Sequence, residues 1–240
     1  MSSESFLYKS PVTVNVSSKS PIVVTIRTFH FLYVSSLIIH QMLTVCIQAG
    51  GQSSRMGEDK ALKTFLGRPL IQRVAERLST IADELIVTTN RPEEYAFLNL
   101  PLFADLKPGR GALGGLYTAI ASAKHPFVAV VACDMPFASP TLIKAGNNIL
   151  DEENVDVVIV KSDEGYEPLH AVYRRKTCLP AIDAAIQADQ WKVIAWFPRV
   201  KVRVLTPDEI KQHDPSGLAF WNVNTPEEFS KAETIAQPGA

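Results

Sequence analysis

Leu43-Thr44-Val45-Cys46-Ile47-Gln48-Ala49-Gly50-Gly51-Gln52-Ser53-Ser54-Arg55-Met56-Gly57-Glu58-Asp59-Lys60 runs a strand-like apolar stretch straight into a loop with paired glycines and two cations. Glycines let the backbone approach an anion closely and turn its N–H groups toward it. Arg55 and Lys60 add the charge that peptide dipoles lack. The stretch therefore predicts a polyphosphate-binding loop at the end of a sheet strand, and so a nucleotide. Two familiar versions are excluded by spacing. A Walker A loop requires Gly-Lys followed by Ser or Thr, whereas Gly57 is followed by Glu58-Asp59-Lys60-Ala61, with no magnesium-binding hydroxyl. A dinucleotide fingerprint requires Gly-x-Gly-x-x-Gly opening a helix, a spacing that Gly50, Gly51 and Gly57 do not reproduce.

Beyond this stretch, short apolar runs alternate with amphipathic segments. Strands are predicted at residues 43–48, 84–89, 102–104, 127–132 and 155–160, and helices at 69–81, 113–123, 140–149, 177–187 and 226–235. Such alternation predicts an α/β fold with a mostly parallel sheet flanked by helices. Residues 166–174 read as a further strand outside that alternation, so the C-terminal half should add an antiparallel element. In an open sheet of this kind the ligand lies beyond the carboxyl ends of the strands. The polar groups at those ends are the Gly50 loop, Asn90-Arg91, Asp105 and Cys133-Asp134-Met135-Pro136. Asp134 follows the apolar run Phe127-Val128-Ala129-Val130-Val131-Ala132, where a carboxylate is costly to desolvate without a cation or donors. Mg2+ is its natural partner.

Composition bounds the rest. The 240 residues are 46% hydrophobic and 20% charged, enough to bury one substantial core, and one domain is expected over residues 42–240. A formal net charge of -1 offers neither a basic footprint for nucleic acid nor a polybasic membrane signal. Cys46, Cys133 and Cys178 form no C-x-x-C pair, which suits a reducing cytoplasm better than a disulfide framework or a zinc site. Residues 1–41 are rich in Ser, Thr and Val and match neither a signal peptide nor a membrane helix. They are expected to be a disordered, dispensable extension or a misplaced start, with Met42 beginning the domain.

Taken in order, Gln48-Ala49-Gly50-Gly51 through Arg55-Met56-Gly57-Glu58-Asp59-Lys60, Leu66-Gly67-Arg68-Pro69-Leu70, Cys133-Asp134-Met135-Pro136 and Asn222-Val223-Asn224-Thr225-Pro226-Glu227-Glu228 resemble the molybdenum cofactor guanylyltransferases, within the MobA-like nucleotidyltransferases. The match covers nearly everything after Met42. Paired Gly50-Gly51, Asp59-Lys60 and the Asn-Thr-Pro-Glu tail look like the guanylyl branch, since cytidylyl relatives usually read Ala-Ala-Gly at the loop. The resemblance implies a Rossmann-like fold of the nucleotide-diphospho-sugar transferase type. It also implies Mg2+-dependent transfer of GMP from GTP to the terminal phosphate of molybdenum-bearing molybdopterin, with release of pyrophosphate.

Under that resemblance, Arg55, Lys60 and Asp134 are the catalytic residues, and Asp134 is the metal ligand. GTP is bound by Gln48, Ala49, Gly50, Gly51, Lys60, Asn90, Asp105 and Asp134, with the backbone of residues 48–51 lining the nucleotide. Asn222 and Asn224 hold nearby loops, and the glycines of Gly111-Ala112-Leu113-Gly114-Gly115 bring a helix N-terminus toward the nucleotide. The implied partners are GTP, the molybdenum-bearing pterin and other cofactor-biosynthesis proteins or molybdoenzyme chaperones, with no nucleic acid and no membrane. The chain departs from the family in two places. Gln48 stands where the family loop normally has Leu, and Gly111-Ala112-Leu113 stands where Gly-Pro-Leu is common.

Each residue also has a plainer reading. Gly50-Gly51 alone makes a tight turn, and Asp134 alone could cap the helix near Pro140 or pair with an Arg. Asn222 and Asn224 could close turns on their own backbone. Cys133 reads as a small buried side chain, and His170 either packs or touches the pterin. Arg174, Arg175 and Lys192 are solvated surface or phosphate ligands. Two other functions fit: cytidylyl or sugar-phosphate nucleotidyl transfer on the same fold, and a non-catalytic nucleotide- or cofactor-binding module.

Overall fold

The computed structural model describes residues 42–49, 59–163 and 165–237, so the expectations for residues 1–41, Gly50, Gly51 and Arg55 lie outside the described residues. In chain order the strands are β1 (Leu43–Gln48), β2 (Thr64–Phe65), β3 (Arg68–Pro69), β4 (Glu84–Thr88), β5 (Leu102–Phe103), β6 (Phe127–Ala132), β7 (Val157–Ile159), β8 (Lys161–Ser162), β9 (Gly165–Tyr166), β10 (His170–Arg174) and β11 (Val202–Val204). The helices are α1 (Leu70–Leu78), α2 (Pro92–Tyr95), α3 (Gly111–Ser122), α4 (Pro140–Glu152), α5 (Arg175–Gln187), α6 (Pro207–His213) and α7 (Pro226–Ala236). One sheet takes the order β11-β7-β10-β6-β1-β4-β5, while β2-β3 and β8-β9 are separate hairpins.

β1 pairs in parallel with β4 on one side and β6 on the other, bringing Gln48 level with Thr88 and Ala132. Every residue of β1 and β6 is buried, which is why both read as unbroken apolar runs rather than as an alternation. β10 lies antiparallel between β6 and β7, the added element that residues 166–174 predicted. That run is not one strand, however. Tyr166 belongs to the β8-β9 hairpin, and the His170 N–H turns back onto the Glu167 carbonyl before β10 begins.

Helices cover both faces. Val45, Ile47 and Ala49 share one core with Leu70, Ile71, Val74 and Leu78 of α1, Leu142 of α4 and Phe229 of α7. Cys46 shares the other with Leu113, Leu116 and Ile120 of α3 and Ile182 of α5. Each large aliphatic side chain so buried stabilises the fold by about 2 kcal/mol relative to exposure.

Arg174 and Arg175 have neither of the roles foreseen. Arg174 donates to the Leu150 and Val155 carbonyls, at 2.7 and 3.0 Å, while its guanidinium lies 4.9 Å from the Phe127 ring centroid. Arg175 donates to the Ile120 and Ala121 carbonyls near the end of α3. Each thereby satisfies carbonyls in the last turn of a helix, Leu150 of α4 and Ile120 and Ala121 of α3.

His170 packs. It is 3% exposed, its Nε2 accepts the Ser139 N–H at 3.1 Å, and its ring meets Phe220 edge-on at 4.9 Å. Burial lowers the imidazole pKa to about 4. The folded pKa thus lies below the unfolded value, so His170 costs no stability above about pH 6.5 and progressively more as the pH falls toward 4, about 3 kcal/mol in all. Denaturant titrations of the wild type should lose stability across that window, and His170→Gln should flatten the loss. An equally steep fall in His170→Gln would assign the acid sensitivity to other groups.

Candidate active site

Parallel strands in the order β5-β4-β1-β6 reverse their winding direction at β1, and the crevice beyond the carboxyl ends of β1 and β6 is the topological switch point. Backbone hydrogen bonds continue past the strands and hold the crevice floor. The Ala49 N–H donates to the Thr88 carbonyl at 2.8 Å, the Cys133 N–H to the Gln48 carbonyl at 3.2 Å, and the Thr89 N–H to the Phe103 carbonyl at 2.8 Å. Asn90 and Asp105, on the loops after β4 and β5, latch onto each other. Asn90 Nδ2 donates to Asp105 Oδ2 and the Asp105 N–H to Asn90 Oδ1, both at 2.9 Å.

Lys60 opens the short 3-10 turn Lys60–Leu62, whose preceding residue Asp59 is its N-cap. Asp59 Oδ1 accepts the Ala61 N–H at 3.0 Å, and Oδ2 accepts the Tyr95 hydroxyl at 2.6 Å together with an Arg91 N–H. The turn is therefore clamped to α2, and its position fixes where Lys60 starts. Lys60 Nζ donates to Asn224 Oδ1 at 3.0 Å, and its charge also acts on Asp134.

Asp134 is half-buried at the end of β6. Burial raises its carboxyl pKa, and Lys60 and its own backbone N–H pull it partly back. The cap of α4 is Ser139, whose Oγ accepts the Leu142 N–H at 3.2 Å. Asp134 is thus not the cap of α4. Its carbonyl accepts the Val223 N–H at 3.0 Å, which lays the Asn222–Asn224 segment across the site, while Trp221 stacks on Phe137 at 5.9 Å. Thr225 caps α7 in a capping box with Glu228, so the Asn224 side chain is left to meet Lys60. Burial first, and then Asp134 and Asp59, push the Cys133 thiol pKa well up, which disfavours the thiolate that a nucleophile needs.

Gln48 was expected to act through its backbone, yet its side chain has a distinct setting. The residue is 6% exposed, and among the described residues its buried Oε1 has no hydrogen-bond partner, a condition that costs about 1–3 kcal/mol. The amide lies against Gly115 of α3, where a Cβ would stand 2.2 Å from Nε2 and 2.7 Å from Cδ. Sequence reasoning thus missed the Asp59 clamp and the seat of Gln48, and it gave Asn224 no specific contact. The Asp-Lys dipeptide and Gly115 were visible, but nothing local pointed to Tyr95 or to the Gln48 amide. Among the described residues no three His, Cys, Asp or Glu side chains converge on a metal position, and no helix is long and apolar enough to cross a membrane.

The strand order and the cation-carboxylate pair at the switch point define a nucleotide-binding α/β protein. Residues 45–202 match the family described as the MobA-like NTP transferase domain, and the chain belongs to that family. It is 35% identical over 198 residues to a molybdenum cofactor guanylyltransferase of Desulfosudis oleivorans, covering 82% of this chain and 97% of the relative. A probable molybdenum cofactor guanylyltransferase of Carboxydothermus hydrogenoformans is 36% identical, covering 80% of this chain and 95% of the relative. Among solved structures, molybdopterin-guanine dinucleotide biosynthesis protein A of Archaeoglobus fulgidus superposes with a TM-score of 0.70 at 25% identity, covering 80% and 97% of the two chains.

Proposed function

We propose that this protein transfers GMP from GTP to molybdenum-bearing molybdopterin, forming the guanine dinucleotide cofactor and pyrophosphate. The observation that carries the reading is Lys60, held at the switch point between Asn224 and the half-buried Asp134. The relatives' names narrow it to the guanylyl reaction.

In this reaction a terminal phosphate oxygen of the pterin attacks the α-phosphorus of GTP, the bond from that phosphorus to the bridging oxygen breaks, and pyrophosphate leaves. The attacking phosphate is largely ionised near neutral pH, so no general base is required. That agrees with the shifts at the Cys133 thiol and the His170 imidazole, each of which favours the neutral form. What the protein must supply is alignment and charge. Lys60 and Arg55 would bind the triphosphate, the backbone of residues 48–51 the nucleoside, and the Asn90-Asp105 latch the neighbouring wall. Asp134 would hold Mg2+, which fits a lone half-buried carboxylate because that ion draws its remaining ligands from water and phosphate oxygens. When bound, the ion supplies neutralisation of phosphate charge. The three cysteines are all free, in keeping with a cytoplasmic location.

The test is pyrophosphate release with Mg2+ and GTP, CTP or ATP in turn, with and without the molybdenum-bearing pterin, alongside identification of the nucleotide product. Release with GTP that depends on the pterin is expected. Preference for CTP would move the protein to cytidylyl transfer, and no release with any nucleotide would leave a binding role.

A further inference from the structure

We infer that Tyr95, assisted by Arg91, is a positioning residue for nucleotidyl transfer, setting the place of the Lys60 ammonium through its hold on the Asp59 carboxylate. The inference rests on the transfer proposed above. Asp59 immediately precedes Lys60 and takes three donors. Oδ1 accepts the Ala61 N–H at 3.0 Å, and Oδ2 accepts the Tyr95 hydroxyl at 2.6 Å together with an Arg91 N–H. The first of these bonds is all that a cap on the short turn Lys60–Leu62 requires. The other two come from 32 and 36 residues further along the chain and lie outside the turn. A carboxylate committed to three donors of the protein is occupied with holding its own segment, and the side chain that segment carries next is Lys60.

The other end of the hold is the sheet itself. Tyr95 is 1% exposed, and its ring belongs to the core that also takes Ile47 and Ala61. Burial first, and then the bond to Asp59, push its hydroxyl pKa well above the ordinary tyrosine value, so the group stays a donor. α2 follows β4 almost at once and is fastened to the strand ends, since the Thr89 N–H donates to the Phe103 carbonyl at 2.8 Å and Thr89 Oγ1 accepts the Arg91 N–H at 3.2 Å. Arg91 also pairs with Glu94 at 2.9 Å, and its neighbour Asn90 carries the latch to Asp105. Lys60 is therefore located at its root from the ends of β4 and β5 and at its tip by Asn224. In-line transfer depends on such placement, because a displacement of about 1 Å at a reacting centre can cost about a hundred-fold in rate.

The experiment is a double-mutant cycle in the full-length protein, read by pyrophosphate release from GTP with the pterin acceptor and by thermal unfolding. Tyr95→Phe keeps the ring in the core and removes only the hydroxyl. It should lower kcat by about ten-fold while changing KM for GTP far less, since the ammonium is still present but no longer well placed. In the Lys60→Ala background the same substitution should lower kcat by less than about two-fold, because nothing is left to position. The change in melting temperature, in contrast, should be the same in both backgrounds. A merely structural tyrosine would carry its loss of kcat undiminished into the Lys60→Ala background. Arg91→Met, in a cycle with the same Lys60→Ala, takes the place of the tyrosine cycle if Tyr95→Phe does not fold, and it leaves the core untouched because Arg91 is half-exposed. Losses of kcat that multiply with that of Lys60→Ala, or turnover unchanged in the folded variant, would overturn the inference while leaving nucleotidyl transfer standing. A wild type that releases no pyrophosphate from GTP would instead remove the transferase reading, and the inference with it.

Discussion

Asp134→Asn and Asp134→Ala are expected to lower kcat for pyrophosphate release by about a thousand-fold while leaving the melting temperature unchanged or slightly raised. Both halves of that expectation follow from where the carboxylate sits. Burial raises its pKa, so the folded protein carries a charge at a position where charge is disfavoured, which among the described residues the Lys60 charge and the residue's own N–H partly offset. Removing the charge relieves that penalty. The adjoining helix loses nothing, because Ser139 is its cap. A residue that is costly to the fold and dispensable for it is one whose value lies in the reaction. Steady-state turnover set beside thermal unfolding measures both, and a variant that kept more than a tenth of wild-type kcat would remove Asp134 from the chemistry.

Lys60→Ala should reduce kcat/KM for GTP by about a hundred-fold, with a raised KM as well as a lowered kcat. Lys60→Arg should not restore it. Among the described residues the ammonium is positioned by Asn224 Oδ1 at 3.0 Å, and the Asp59 clamp sets where the side chain begins, so a longer planar guanidinium would meet the site differently. The substitution also has a pH signature. Lys60 lowers the Asp134 pKa against the upward push of burial, so without it that pKa rises and a larger share of Asp134 is protonated at a given acidic pH. The acid limb of the kcat/KM profile should therefore move to higher pH in Lys60→Ala. An unmoved limb would show that the two groups are not coupled in the working enzyme.

The strands nearest the site were legible because their burial on both faces leaves an uninterrupted apolar run, as in Leu43–Gln48 and Phe127–Ala132. β11 escaped notice because Val202-Arg203-Val204 is a three-residue strand at the sheet edge, half-exposed and too short to show a period. α6 was missed although its signal was present: Thr206-Pro207-Asp208-Glu209 is a capping box with proline at the first helical position. α3 begins two residues earlier than its apolar pattern suggested. Gly111, Gly114 and Gly115 argue against helix by propensity, and at Gly115 close approach to Gln48 outweighs that cost. Strand-end position singled out Asp134, Asn90 and Asp105, since the sheet dictates where ligands sit. Position says nothing about partners. Lys60 and Asn224 are 164 residues apart, and their contact is set by how the last loop crosses the sheet.

That crossing has a consequence for how the molecule comes into being. All strands of the sheet are complete by Val204, but the residues that hold Lys60 and cover Asp134 do not arrive until Val223 and Asn224. A nascent chain emerging amino end first can pair its strands before Lys60 is tethered, while the core that holds Val45 and Ile47 still waits for Val223 and Phe229. The contact that holds Lys60 is therefore made only after every strand of the sheet has been synthesised, and a chain released short of Asn222 would carry those strands with Lys60 untethered.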